Sequence, residues 1–366
     1  MNILHQNPFT PTFGSIPMLL AGRDRIVADI LGGLENGPGD PNRATIFVGA
    51  RGTGKTVLLT KISEEASANG WISVNINADS GMLDEISVQL RDNAGELLSE
   101  ESKSFITSIS IGGAGLSREM AQRTQKSTWR SEMTSIISEL NEKGAGVVIT
   151  VDEVNVKIDE MRTLIVAFQH FVRERREVAL IMAGLPQKVS NLLKDDAISF
   201  LRRAFQHSMV PIEESEVRYS MKKTIELGGR AIETQALDFA VKSAKGFPFL
   251  IQLIGYHMWR QQPENNAISF NDAQEGVYLA QSDLDRMIFE STYRELSEKD
   301  IAFLTAMLAD NDYSNISDIA ARLKVSSKYA GIYRKRLIEQ GIIGSSGYGK
   351  VAFELPMFRE YLQNRI

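Results

Sequence analysis

The spacing of apolar residues changes repeatedly along this chain, and each change predicts an element. Ile26, Val27, Ile30, Leu31 and Leu34 recur at helical spacing behind Asp24, which is placed to cap that helix. Gly37-Pro38-Gly39-Asp40-Pro41 breaks the pattern, and Thr45 to Val48 then reads as a short buried strand. A loop and a helical stretch ending near Ala68-Asn69-Gly70 follow. Trp71 to Ile76 has strand composition, and Leu83 to Leu98 is helical by pattern. Thr128 to Lys143 places Met133, Ile136, Ile137 and Leu140 on one helical face, and Gly144-Ala145-Gly146 stops it. Val147 to Val151 is a buried strand, Glu160 to Arg175 a helix with Leu164, Ile165, Phe168 and Val172 inward, and Val178 to Ala183 another buried strand. A helical piece at Val189 to Leu193 and a short strand at Ser208 to Ile212 close this part. Strands alternating with helices from Thr45 to Ile212 predict an α/β core of three layers around a parallel sheet.

Beyond Pro211 the strand pattern stops. Glu214 to Glu226, Thr234 to Ser243, Phe249 to Arg260 and Asp272 to Tyr293 all read as helices, separated by Gly228-Gly229, Gly246-Phe247-Pro248 and Pro263 to Asn266. From Leu296 a third pattern begins: helices at Ile301 to Leu308 and Ile316 to Leu323, a third capped by Ser326 and running to Gln340, then a hairpin turning at Ser345 to Gly349. Three helices and a hairpin in that order predict a winged helix-turn-helix. The expected domains are an N-terminal arm over 1–20, a core over 21–213, a helical lid over 214–294 and the winged helix over 295–366. The arm, with Pro8, Pro11 and Pro17, should lie extended on another element. Between Ser99 and Ser127, Phe105 to Ile111 alternates like a strand before Gly112-Gly113-Ala114-Gly115, which suits a partner-contacting hairpin and a mobile loop equally.

Composition narrows the function. The 366 residues allow two or three domains, and a net charge of -5 excludes a globally basic coat while leaving room for a local basic patch. The absence of cysteine excludes disulfides and thiolate chemistry, and His5, His170, His207 and His257 show no metal-ligand spacing. The N-terminus lacks the basic head and apolar core of a signal peptide, and Phe247 to Trp259 is too short for a membrane span. A cytoplasmic protein with no membrane partner is expected.

The chemistry concentrates at Gly49-Ala50-Arg51-Gly52-Thr53-Gly54-Lys55-Thr56, a full match to G-x-x-x-x-G-K-[ST] between a strand and a helix. Glycines let successive N–H groups turn around an anion, and the helix that follows adds the positive end of its dipole. Lys55 is suited to the β and γ phosphates and the Thr56 hydroxyl to Mg²⁺. Asp152 and Glu153, ending the strand from Val147, belong at the same edge of a parallel sheet as that loop. The first acid suits the Mg²⁺ shell and the second a water facing the γ phosphate. Leu296 to Ile366 carries 10 Lys or Arg against 8 Asp or Glu, and the window holding Arg322, Lys324, Lys328, Arg334, Lys335 and Arg336 contains no acid. On the third helix of this segment Ala330, Tyr333 and Leu337 should be core, leaving Lys328, Ile332, Lys335 and Arg336 outward for duplex DNA, or for a protein partner if the basic face is only solvated.

Gly22-Arg23-Asp24, GARGTGKT, VVITVDE, AGLP, a lid with Gly246-Phe247-Pro248 and a terminal winged helix, in this order over roughly residues 20 to 360, resemble the AAA-plus ATPases, nearest the origin-recognition initiators and the STAND signalling ATPases. The resemblance implies an ATP-binding, Mg²⁺-dependent hydrolase in which Lys55 and Thr56 hold phosphate and metal, Asp152 supports the metal and Glu153 is the general base. It also implies that Gly22, Arg23 and Pro248 pack around adenine, and that Arg202 or Arg203 is a finger entering a neighbouring subunit of a homo-oligomer. Two departures stand out. The strand ending at Ala183 and Gly184 lacks a polar side chain to sense the γ phosphate, and Phe249 stands where many initiators carry an arginine. The expectation is therefore a slowly hydrolysing, ATP/ADP-responsive switch acting on DNA, or a STAND-like scaffold whose winged helix contacts protein.

Overall fold

The computed structural model describes residues 6–12, 14–99 and 118–365. They form two compact units, one from the described residues of Arg23–Val48 and Lys55–Ser208, the other from those of Met1–Gly22, Gly49–Gly54 and Met209–Ile366.

The first unit is built on β1 (Ala44–Val48), β2 (Ile72–Asn77), β3 (Val147–Asp152), β4 (Val178–Gly184) and β5 (Phe205–Ser208), in the order β2-β3-β4-β1-β5. All pairs are parallel, with Val48 opposite Gly184 and Val151 opposite Met182. Every residue of the central strand β4 is buried, as a strand flanked and covered on all sides requires. The helices are α1 (Asp24–Glu35), α2 (Lys55–Ala68), α3 (Met82–Ala94), α4 (Arg118–Glu142), α5 (Asp159–Arg173) and α6 (Pro186–Leu193). Their apolar faces join the sheet in one core that includes Ile46, Leu140, Leu164 and Phe168.

Local departures from the sequence pattern have physical causes. Asp24 is the first helical residue and makes no side-chain cap. The edge strand is Phe205–Ser208 rather than Ser208 to Ile212; its FQHS composition, mostly exposed, carries no apolar signal because only one neighbour pairs with it. On α5, Leu164, Ile165 and Phe168 are buried as expected, but Phe171 completes that face and Val172 is 42% exposed. Helix α4 starts at Arg118, ten residues ahead of the expected start at Thr128. The alternating stretch Phe105 to Ile111 lies outside the described residues.

The second unit continues through α7 (Glu214–Leu227), α8 (Thr234–Ala244), α9 (Pro248–Gln261) and α10 (Phe270–Leu284), a π-helical turn at Asp285–Phe289 and α11 (Glu290–Arg294). Two short parallel strands, β6 (Ala231–Ile232) and β7 (Ala267–Ile268), tie the loops between these helices. Then come α12 (Glu298–Met307), β8 (Ser314–Asn315), α13 (Ile316–Leu323), α14 (Ser327–Glu339), β9 (Ile343–Ser345), β10 (Lys350–Phe353) and α15 (Phe358–Arg365). The antiparallel sheet β8-β10-β9 closes this segment, β8 and α15 being elements that composition does not announce. One apolar core runs through the whole unit, from Phe9 through Ile254 and Phe303 to Leu362.

The arm is strapped onto α9: Asn7 donates to the Tyr256 carbonyl at 3.0 Å, and the Thr10 N–H donates to Gln252 Oε1 at 3.1 Å. The Phe9 ring occupies the space over Gly255, where an added Cβ would lie 2.3 Å from it. Among α12 to α15, Arg322 donates to both oxygens of Asp310 at 2.6 and 2.7 Å. That fork and a bond to Ser314 hold the Asp310 carboxyl down at about 2. A carboxylate depressed in this way stabilises the fold above its unfolded-state pKa near ~4 and ceases to do so as pH falls through the folded value. Asp310→Asn is thus expected to lower stability at neutral pH, with the gap from the unmodified protein closing between about pH 4 and about pH 2; urea unfolding followed over that range measures it.

Candidate nucleotide-binding site

The residues of the phosphate loop divide between the two units, Gly49–Gly54 with the second and Lys55 onward with the first. Gly52 and Gly54 sit at φ of 77° and 85°, the left-handed region that a side chain disfavours. A Cβ at Gly49 would lie 2.6 Å from Met209 Cβ, so the loop opens only with glycine there. The Thr53 hydroxyl, buried, donates to the Ala50 carbonyl at 2.9 Å and fixes the turn, while Arg51 stays exposed. In the same unit Pro248, the first residue of α9, stands 3.5 Å from the Cβ position of Gly54, and Ile212 stands 3.2 Å from that of Gly22. The Ile212 N–H donates to the Gly246 carbonyl at 2.8 Å. Gly22, the glycine loop and Gly246-Phe247-Pro248 are thus gathered by one unit.

Lys55 and Thr56 begin α2, whose first amides have no helical acceptor. Lys55 is buried and Arg23 is buried as well, burial holding the Arg23 guanidinium below its ordinary pKa. The Thr56 hydroxyl donates to Asp152 Oδ2 at 2.5 Å, joining residues 96 apart in sequence. The other carboxylate oxygen, Oδ1, accepts the Glu153 N–H at 2.8 Å. Glu153 itself has φ of 53°, and its Oε2 accepts from Lys188 Nζ at 3.0 Å. A hydroxyl and a carboxylate facing one another at a helix N-terminus are hard oxygen donors, the chemistry that suits Mg²⁺ beside a phosphate.

Sequence reasoning did not find Lys188. Its only signal was the polar side chain that β4 lacks, because a Cβ on Gly184 would lie 2.5 Å from Val154 Cγ2 and no side chain fits at that strand end. Phe249 lines an apolar cavity with Arg51, Leu250, Ile288 and Met357, so the position is filled by packing rather than charge.

The remaining candidates fall in two groups. Arg202 donates to the Leu193 carbonyl at 2.8 Å and lies 3.5 Å from Asp196, whereas Arg203 is exposed with no hydrogen bond or ion pair among the described residues. On α14, Lys328, Ile332 and Lys335 are exposed, and Ala330 and Leu337 are buried. Tyr333 is only half-buried, its hydroxyl donating to Tyr329 at 2.9 Å. Arg336 is exposed as expected, its side chain 45% accessible, but it is also engaged. It is bound to Asp300, 3.0 Å from Nε to Oδ1, and its terminal nitrogen reaches Ser297 Oγ at 2.7 Å, because Asp300 is almost wholly buried and needs the charge. Tyr348 at the tip of the β9–β10 hairpin is fully exposed.

A family described as a domain of unknown function (DUF8462) matches residues 286–362. A search of curated proteins finds no match. Among solved structures, a Walker-type ATPase of Pyrococcus abyssi aligns over 94% of this chain and 96% of its own at 15% identity and a TM-score of 0.61. The ADP form of the ORC2 protein of Aeropyrum pernix aligns over 97% and 96% at 14% identity and a TM-score of 0.53. Cdc6p of Pyrobaculum aerophilum aligns over 97% of both chains at 17% identity and a TM-score of 0.50. Among the described residues no helix is long and apolar enough to cross a membrane.

Gly184→Asn, which would install the polar side chain that β4 lacks, is expected to cost about 1 to 3 kcal/mol through overpacking against Val154, read by chemical denaturation. With its parallel P-loop sheet, its helical elements and these likenesses, the chain has the fold of the AAA-plus P-loop ATPases.

Proposed function

We infer that this chain is an ATP-dependent switch that binds ATP at Gly49 to Thr56, hydrolyses it slowly and couples nucleotide state to duplex DNA through its C-terminal segment. The observation that carries the nucleotide part is the 2.5 Å bond from Thr56 to Asp152, which unites the loop and the acidic strand end in one donor set. Lys55 would meet the β and γ phosphates, and the loop amides would turn toward them. Thr56 and Asp152 would hold Mg²⁺, which would offset phosphate charge there. Glu153 is the general base: its carboxylate takes the proton of the attacking water. Gly22, Arg23 and Pro248 suit the adenine side, and Arg203, exposed and unpaired among the described residues, suits a finger toward a second copy better than Arg202 does. The ADP form in which the ORC2 protein was solved supports a nucleotide at this loop.

The DNA part rests on α12 to α15 and the β9–β10 hairpin, whose order of elements we read as a winged helix. Lys328, Ile332 and Lys335 form its outward face, and the exposed Tyr348 tips the wing. With Arg336 and Arg322 spent on Asp300 and Asp310, only part of the acid-free window is left for phosphates. That engagement favours a second reading, a STAND-like scaffold whose winged helix meets protein.

Lys55→Ala is expected to abolish ATP and ADP binding by calorimetry, and Glu153→Gln to retain binding while slowing hydrolysis at least about a hundredfold; turnover at the unmodified rate would remove Glu153 as base. Replacing Lys328 and Lys335 together by Ala is expected to reduce the slope of log affinity against log salt by about 2 for duplex DNA. Duplex affinity and slope indifferent to the double change would favour the scaffold.

A further inference from the structure

Lys188 is the one cation bonded to the Glu153 carboxylate among the described residues, at 3.0 Å. Its position follows from the sheet. β4 lies between β3, which ends in Asp152, and β1, which leads into the phosphate loop. Gly184 at its end is paired with Val48 and closed to any side chain by Val154. The chain turns through Leu185, Pro186 opens α6, and Lys188 falls in the first turn of that helix. A cation therefore leaves the sheet edge between the two strands that carry the chemistry, four residues after the strand end that cannot carry a polar group.

The two partners differ in freedom. Glu153 is aimed by a backbone held at φ of 53° and by its N–H bond to Asp152. Lys188 is a flexible stem with a compact charge and three donors, and the pair is open to water, its side chains 31% and 46% exposed. An ion pair so exposed contributes little and is readily exchanged for a better anion. A γ phosphate, with more charge and more acceptor oxygens than a carboxylate, is such an anion.

We propose that Lys188 reads the γ phosphate and that Glu153 is its resting counter-ion: triphosphate and Glu153 compete for one ammonium, and capture by the phosphate leaves the Glu153 carboxylate unpaired to accept a water proton. This rests on the reading of Gly49 to Thr56 as a nucleotide site. The competition makes a signature that simple damage to the fold would not produce, since removing the two partners shifts triphosphate affinity in opposite directions.

The test is equilibrium binding of ADP and of a non-hydrolysable ATP analogue, each with Mg²⁺, to the full chain and to Lys188→Met, Lys188→Arg and Glu153→Gln. Lys188→Met is expected to weaken the triphosphate analogue about tenfold while leaving ADP within about twofold. Lys188→Arg keeps the preference for triphosphate, and Glu153→Gln tightens the analogue several-fold with ADP unchanged. Equal losses for both nucleotides in Lys188→Met, no loss for either, or no tightening in Glu153→Gln would each overturn the proposal while leaving the nucleotide site standing. If the unmodified chain binds neither nucleotide, the reading of the site falls and this proposal with it.

Discussion

Parallel register carries β1, β3 and β4 to a common edge, and every polar group of the candidate site depends on that pairing. Val48 beside Gly184, with Val151 beside Met182, brings the residues after each strand out at one level. Parallel strands deliver their carboxyl ends together, so Thr56 and Asp152 meet although 96 residues separate them. The buried middle of β4 is what keeps the register from slipping, because a shift of one residue would turn its side chains to the opposite faces.

Close packing at that edge then decides which side chains it tolerates. Gly184 has no room for a polar substituent against Val154, and Phe249 belongs to an apolar cavity in its own unit. What the strand end cannot hold, the helix after it supplies: Lys188 brings its charge from the first turn of α6 to Glu153. At this strand end the charge is placed where water reaches it and the space beside Val154 is left apolar, as the cost of burying an unpaired polar group requires.

The C-terminal segment divides its charges by the same rule. Asp300 is buried and takes Arg336; Asp310 takes Arg322 through both oxygens. Lys328 and Lys335 have no acid partner among the described residues and remain at the surface beside the exposed Ile332. A basic window in sequence is therefore a smaller basic face in space, and the difference is set by which acids the core encloses.

Much of this was legible from residue order alone. The strands of the central sheet apart from the edge strand β5, the helices after Pro211, the β9–β10 hairpin and the loop from Gly49 to Thr56 all have local signatures: solid apolar runs, helical periodicity, turn glycines and a motif in which Gly52 and Gly54 adopt positive φ. The edge strand Phe205–Ser208, the early start of α4, the burial of Phe171 in place of Val172 and the short strand β8 had no such signature, since each depends on what a neighbouring element covers. The same holds within the site. The sequence by itself determined that Lys55 and Thr56 close a phosphate-loop motif between a strand and a helix and that Asp152 and Glu153 end a buried strand, because both are patterns of adjacent residues. Only the tertiary structure decided that Lys188 faces Glu153 and that Arg336 serves Asp300, because ion pairs between residues 35 and 36 apart are set by chain folding, which local pattern does not encode.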